Sequence, residues 1–231
     1  MSSEPDPDFD TLCPRPGLRV HVHRSRRFKS VRLDVFLARL LRPREAASLA
    51  LIGRLLERGT ARLPGIRELN RHTDLLYGAG LSSQTEAMGP FQVLHLHYDA
   101  VDSAYLPGQP DLLASGFELL GEVLRDPCLE DGSFPVAWVD QERQAQHRSI
   151  EALYSDRTLL AQRRCLEIMC EGEAYGIAAH GDPADLADLH PQELTSTLAE
   201  LAATSVFDVY VCGDLPADRA VSLAPETLGW E

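Results

Sequence analysis

The chain has 231 residues, 44% hydrophobic and 25% charged, enough apolar material to bury a core and unlike a disordered or collagen-like chain. One large domain or two small ones fit this length. The 22 cations face 35 carboxylates, a net charge of -13, which disfavours a protein that tracks nucleic acid over much of its surface.

The charge is unevenly placed. Residues 15–44 carry ten cations and only one carboxylate, Asp34, whereas residues 171–231 hold twelve carboxylates and a single cation, Arg219. The basic side chains alternate with Val20, Val22, Val31, Leu33 and Val35, the pattern of a solvated strand face. Cys13, Cys128, Cys165, Cys170 and Cys212 include no C-x-x-C pair, so reduced thiols are expected, with Cys165 and Cys170 as core thiols on opposite sides of one helix. The acidic start MSSEPDPDFD lacks the cationic and apolar parts of a secretory signal, and no window approaches the roughly 18–20 apolar residues that span a bilayer. A cytoplasmic protein with no membrane or nucleic-acid partner is expected.

In chain order, residues 1–16 are rich in Pro and Asp and predict a flexible acidic arm. Leu18–His23 and Phe28–Leu37 alternate apolar and polar residues across Arg24–Arg27, which predicts an antiparallel hairpin. From Pro43 the run of Ala46, Ala47, Leu49, Leu51, Ile52, Leu55 and Leu56 predicts a mostly buried helix that stops at Gly59. A second helix is expected over Ile66–Tyr77, ending at Gly78.

Two strands, Gly80–Glu86 and Phe91–Asp99, flank a turn at Met88-Gly89-Pro90. Helices are then predicted over about Leu112–Leu124, Pro135–Ala152, Asp156–Cys170, a short stretch after Asp182, and Pro191–Ala203, followed by a strand over Val206–Val211. The order predicts an α+β fold, an antiparallel or mixed sheet with helices packed on one face. Its expected limits are 17–214, with 215–231 as a C-terminal tail.

The phrases FKSVRLDVFL, LLERGTARLPGIRELNRHTDLLYGAGLSSQTE, QERQAQHRSIEALYSDRTLLAQRRC and VFDVYVCGDL resemble the N-terminal half of the zinc metallopeptidase superfamily of pitrilysin, insulin-degrading enzyme and mitochondrial processing peptidase. The likeness covers about Gly17–Asp214 and is closest to a bacterial branch that lacks the zinc motif. Active members carry H-x-x-E-H on the first helix, two histidines on one face for Zn²⁺ and a Glu for its water, and a further Glu ligand on a later helix. Aligned on Gly59-Thr60, those positions hold Ala50, Gly53 and Arg54, and the distal ligand is matched by Ser149. Alanine and glycine offer no ligand atom, and arginine cannot lose its proton to bind metal.

The resemblance therefore implies a processing-peptidase-like half-domain whose zinc ligands, and with them the expected cofactor, are absent. A residual acidic position is Glu142, and pairing of Arg54 with Glu142 is expected as an electrostatic replacement. The segment Leu81, Ser82, Ser83, Gln84, Thr85 lies where the family binds extended peptide by adding a strand, which needs backbone rather than particular side chains. An ordinary covered strand is the other reading of that segment.

Two H-x-H triplets, His21-Val22-His23 and His95-Leu96-His97, place both imidazoles on one strand face. They would form a four-histidine metal site if the strands were neighbours, and otherwise a polar face with no metal. His147 near Glu142 and Glu151 reads as an acid/base cluster or as an exposed charged helix. The resemblance implies two homologous halves around a chamber, of which this sequence matches the first. An apolar face covered by a second copy or a homologous peptidase-like chain is expected. The expected function is that of a catalytically inactive partner of an active homologue, holding peptide or completing a chamber; the alternative is an active metallohydrolase with a relocated histidine site.

Overall fold

The computed structural model describes residues 9–228. Among them, strands β1 (Asp10–Arg15), β2 (Leu18–Arg24), β3 (Ser30–Leu40), β4 (Gly80–Met88), β5 (Phe91–Val101) and β6 (Phe207–Gly213) form one sheet. Its order is β1-β2-β6-β3-β5-β4, with β2 and β6 parallel and the other neighbours antiparallel. The period-2 pattern explains its two faces. Leu18, Val20, Val22, Leu33, Val35, Leu37, Leu94, Leu96, Tyr98, Val209 and Val211 point into the core, and the residues between them carry most of the polar groups on the opposite, open face.

Helices cover the apolar face: α1 (Pro43–Leu56), α2 (Ile66–Leu75), α3 (Leu112–Arg125), α4 (Val136–Ser155), α5 (Arg157–Met169), α6 (Pro183–Ala187), α7 (Pro191–Thr204) and α8 (Ala217–Leu228). Helix α1 is buried on nearly every side, packing on β4, β5, α4, α6 and α7, as a helix apolar all round must. It ends before Gly59, whose φ of 148° suits glycine and where a Cβ would meet the Leu63 carbonyl oxygen and Gly65 nitrogen. Helix α3 lies over β3 and β5, where Gly116 lets the Tyr98 ring approach the helix backbone. The Tyr98 hydroxyl donates to the Leu112 carbonyl at 2.9 Å.

The structure revises four expectations. The strands foreseen as a hairpin are antiparallel but not paired, because β6 inserts between β2 and β3 and hydrogen-bonds to both; alternation records which face a residue takes, not which strand lies beside it. Residues 10–15, expected within the arm, form β1 on the edge beside β2, while residues 1–8 lie outside the described residues. The expected tail contains α8, which packs on α3, β1 and β2. Helix α5 buries none of its residues, so Cys165 is an exposed thiol.

The basic segment is largely neutralised. Arg19 pairs with Asp208, Arg24 and Arg26 with Asp214, Arg32 with Asp34, and Arg39 with Glu45, which fits the solvated-face reading. Among the described residues no helix is long and apolar enough to cross a membrane.

Candidate functional site

Helix α1, helix α4 and edge strand β4 enclose a cavity of about 220 Å³ lined by Ala50, Gly53, Arg54, Ser83, Gln146 and Ser149, among others. The three degenerate ligand positions, Ala50, Arg54 and Ser149, and the position of the water-activating acid, Gly53, therefore meet in one place, beside the strand segment singled out for peptide. A metal does not fit them. Ala50 and Gly53 lack donor atoms, and the Ser149 hydroxyl donates to the Ala145 carbonyl at 2.9 Å within its own helix.

The cationic replacement is present and larger than expected. Arg54 Nε donates to Glu142 Oε2 at 2.9 Å, and Arg58 Nη1 lies 3.3 Å from Glu142 Oε1. Arg54 lies in the last turn of α1 and Arg58 in the turn that follows it, so two guanidinium groups hold the two oxygens of one α4 carboxylate. Arg58 also donates to Gln141 and stacks over the Trp138 ring, 5.5 Å from its centroid. The i,i+4 spacing of Arg54 and Arg58 was visible in the sequence, but the second contact was not foreseen.

Gly53 allows α1 to approach β4. A Cβ there would stand 2.9 Å from Thr85 Oγ1, so the acid that active peptidases carry at this position would require Thr85 to move. Two buried polar atoms in the cavity, Ser83 Oγ and Gln146 Oε1, have no partner, although Gln146 Nε2 donates to the His180 carbonyl at 2.8 Å.

Strand β4 is the sheet's outer edge beyond β5, as peptide addition requires. Leu81, Ser83 and Thr85 alternate toward the helices, and Ser82 and Gln84 lie opposite His97 and His95. The edge is not wholly free, because the Ser83 backbone N–H donates to Glu57 Oε1 at 2.5 Å. Burial raises the Glu57 carboxyl above its ordinary value, against the opposing effects of that hydrogen bond and of Arg54.

The four histidines do not converge, since β6 and β3 separate β2 from β5. His21 Nε2 lies 3.2 Å from Asp208, and its ring stacks on Tyr210. His95 Nε2 and His97 Nδ1 instead meet Asp34 Oδ1 at 2.7 and 2.8 Å. Asp34 had no motif to mark it; only the cross-strand register brings it to the histidines. Burial would raise its carboxyl, but hydrogen bonds from His95, Arg32 and His97 outweigh that and hold it well below the usual range. His147 lies 3.6 Å from Glu151 on an exposed helix face, apart from the cavity.

A six-stranded mixed sheet backed on one face, with a degenerate ligand cavity beside its edge strand, defines the class: the chain has the fold of a peptidase M16 domain, the pitrilysin-like fold. The resemblance drawn from the sequence is borne out. Over 206 residues the chain is 28% identical to a Bacillus subtilis (strain 168) protein named "Probable inactive metalloprotease YmfF", a match covering 89% of this chain and 48% of that protein.

Two crystal structures share the fold. A conserved protein from Enterococcus faecalis V583 superposes with a TM-score of 0.87 at 21% identity, covering 94% of this chain and 51% of the other. A peptidase M16 inactive domain from Pseudomonas fluorescens gives a TM-score of 0.73 at 17% identity, covering 96% and 50%. The chain thus spans about half the length of these relatives. No protein-family model matches it.

Proposed function

We propose that this chain is a catalytically inactive, zinc-peptidase-like half that serves as the non-catalytic partner of an active homologous peptidase. The observation that carries the reading is the pair of guanidinium groups, Arg54 and Arg58, closed on Glu142 beside the cavity where Ala50, Gly53 and Ser149 stand at the positions that the resemblance gives to zinc chemistry. A resident cation at that point opposes Zn²⁺ by charge and leaves no water to activate. The similarity to a Bacillus protein named as a probable inactive metalloprotease supports the same reading.

What such a half still offers is shape. Edge strand β4 supports a role in holding extended peptide, and exposed Leu40, Met88 and Phe91 on the open face support contact with a peptidase-like chain or a second copy. No zinc is expected at the α1–α4 cavity, and a cytoplasmic location is part of the proposal. Peptide hydrolysis with and without chelator, by the chain alone and mixed with a homologue bearing an intact H-x-x-E-H, tests it. The chain alone should be silent, and the mixture should exceed the homologue by itself. Chelator-sensitive cleavage by the chain alone would establish the relocated-site metallohydrolase instead.

A further inference from the structure

We propose that Asp34, His95 and His97 form a divalent-metal site of the zinc type on the open face of the sheet, outside the lining of the degenerate cavity. The β3–β5 register sets Asp34 opposite His97, and His95 opposite Phe36 one step along the same face. The three ligand atoms, Asp34 Oδ1, His95 Nε2 and His97 Nδ1, lie within 4.8 Å of one another. Two imidazole nitrogens and one carboxylate oxygen suit Zn²⁺ and leave a fourth position open.

The surroundings hold each ligand in place, as working metal sites require. Arg32 donates to both oxygens of Asp34, Nε to Oδ2 at 2.6 Å and Nη2 to Oδ1 at 3.1 Å, and so fixes the carboxylate plane beside the histidines. His97 Nε2 faces Asp99 Oδ1 at 3.2 Å, a carboxylate placed to accept the ring proton that ligation through Nδ1 demands. His95 Nδ1 lies 3.0 Å from Gln84 Nε2; ligation through Nε2 of the histidine puts the proton on Nδ1, and the Gln84 amide must then turn over to accept it with its oxygen. The Phe36 ring stacks on His95 with centroids 4.3 Å apart and fixes the imidazole plane.

Asp34 and His95 are 7% and 6% exposed, a degree of burial that makes an unpaired polar group costly. Asp34 also lines a groove of about 520 Å³ with Phe36, Met88, Phe91, Asp208 and Tyr210, which gives an ion a route in. Arg32 opposes a cation by charge and Asp99 offsets it, so the site should be selective for a metal that binds imidazole and not for calcium or magnesium. Asp34, His95 and His97 do not line the peptidase cavity, so the site does not require the proposed function; it adjoins that function's surfaces through Gln84 of β4 and through Met88 and Phe91 of the groove.

The test is calorimetric titration of the whole chain with zinc chloride near neutral pH, repeated with cobalt(II) and read by visible absorption. One ion per chain is expected, with the intense cobalt bands of a four-coordinate site. His97→Gln, at a partly exposed position, should weaken zinc at least tenfold, and Asp34→Asn should abolish binding, with circular dichroism confirming that each variant is folded. The double change His21→Ala and His23→Ala should leave affinity within twofold. Absence of zinc binding, binding unchanged in His97→Gln, or loss of binding in the His21/His23 variant would each overturn the assignment.

Discussion

Arg54 in the last turn of α1 and Arg58 in the turn just after it share the carboxylate of Glu142, each through one oxygen. Arg54 is 39% exposed, so water screens the attraction, and a coupling of about 1 kcal/mol is expected rather than the larger value of a buried pair. A double-mutant cycle of Arg54→Ala and Glu142→Ala in urea should return that coupling and show it shrink with added salt. Asp34 calls for a larger figure. Its carboxyl is held below the ordinary value in the folded state, so it contributes stability above the unfolded pKa and loses it as pH falls through the folded one. Asp34→Asn should cost about 2–3 kcal/mol at pH 7 and flatten the acid limb of the stability profile. An unchanged acid limb would show that Asp34 is not the group responsible. That Ala50, Gly53, Arg54 and Ser149 supply neither a histidine nor a carboxylate was legible residue by residue, because a donor atom absent from a side chain is absent in any fold. Asp34 was not legible, because its role depends on which strand lies across from it.

At the scale of elements, α1 was read with its start at Pro43 and its stop near Gly59, since both punctuating residues and an all-apolar surface agree. The pairing of β2 with β6 was hidden: these strands are far apart in sequence, and apolar alternation carries no address for a partner. Two contacts between elements make sharp predictions. A Cβ at position 116 would overlap the Tyr98 ring, so Gly116→Ala should lose about 2 kcal/mol by overpacking despite alanine's better helix propensity; denaturant unfolding measures this. At the free edge of β4, Glu57 occupies the Ser83 N–H that an added peptide strand would use. Glu57→Ala should therefore tighten an extended peptide by about threefold to tenfold, the worth of one backbone hydrogen bond. Unchanged affinity in fluorescence anisotropy would place any bound peptide elsewhere.

For the molecule as a whole, the layer of helices on one face of a mixed sheet was legible from the order of elements and the resemblance, and the solved peptidase M16 inactive domain shares that fold. The exterior was less so. Strand β1 and helix α8 lie in segments whose acidic and proline-rich composition masked short amphipathic patterns, and α8 carries Pro225 within its span. The open sheet face, with exposed Leu40, Met88 and Phe91 beside a polar cluster, is the surface on which a partner chain is proposed to sit. The proposed function keeps a peptidase fold without its zinc chemistry. Hydrolysis of extended peptides by the purified chain, supplied with zinc and then with chelator, tests it most directly: no cleavage above the uncatalysed background is expected in either condition, and zinc-dependent cleavage that the chelator removes would contradict it.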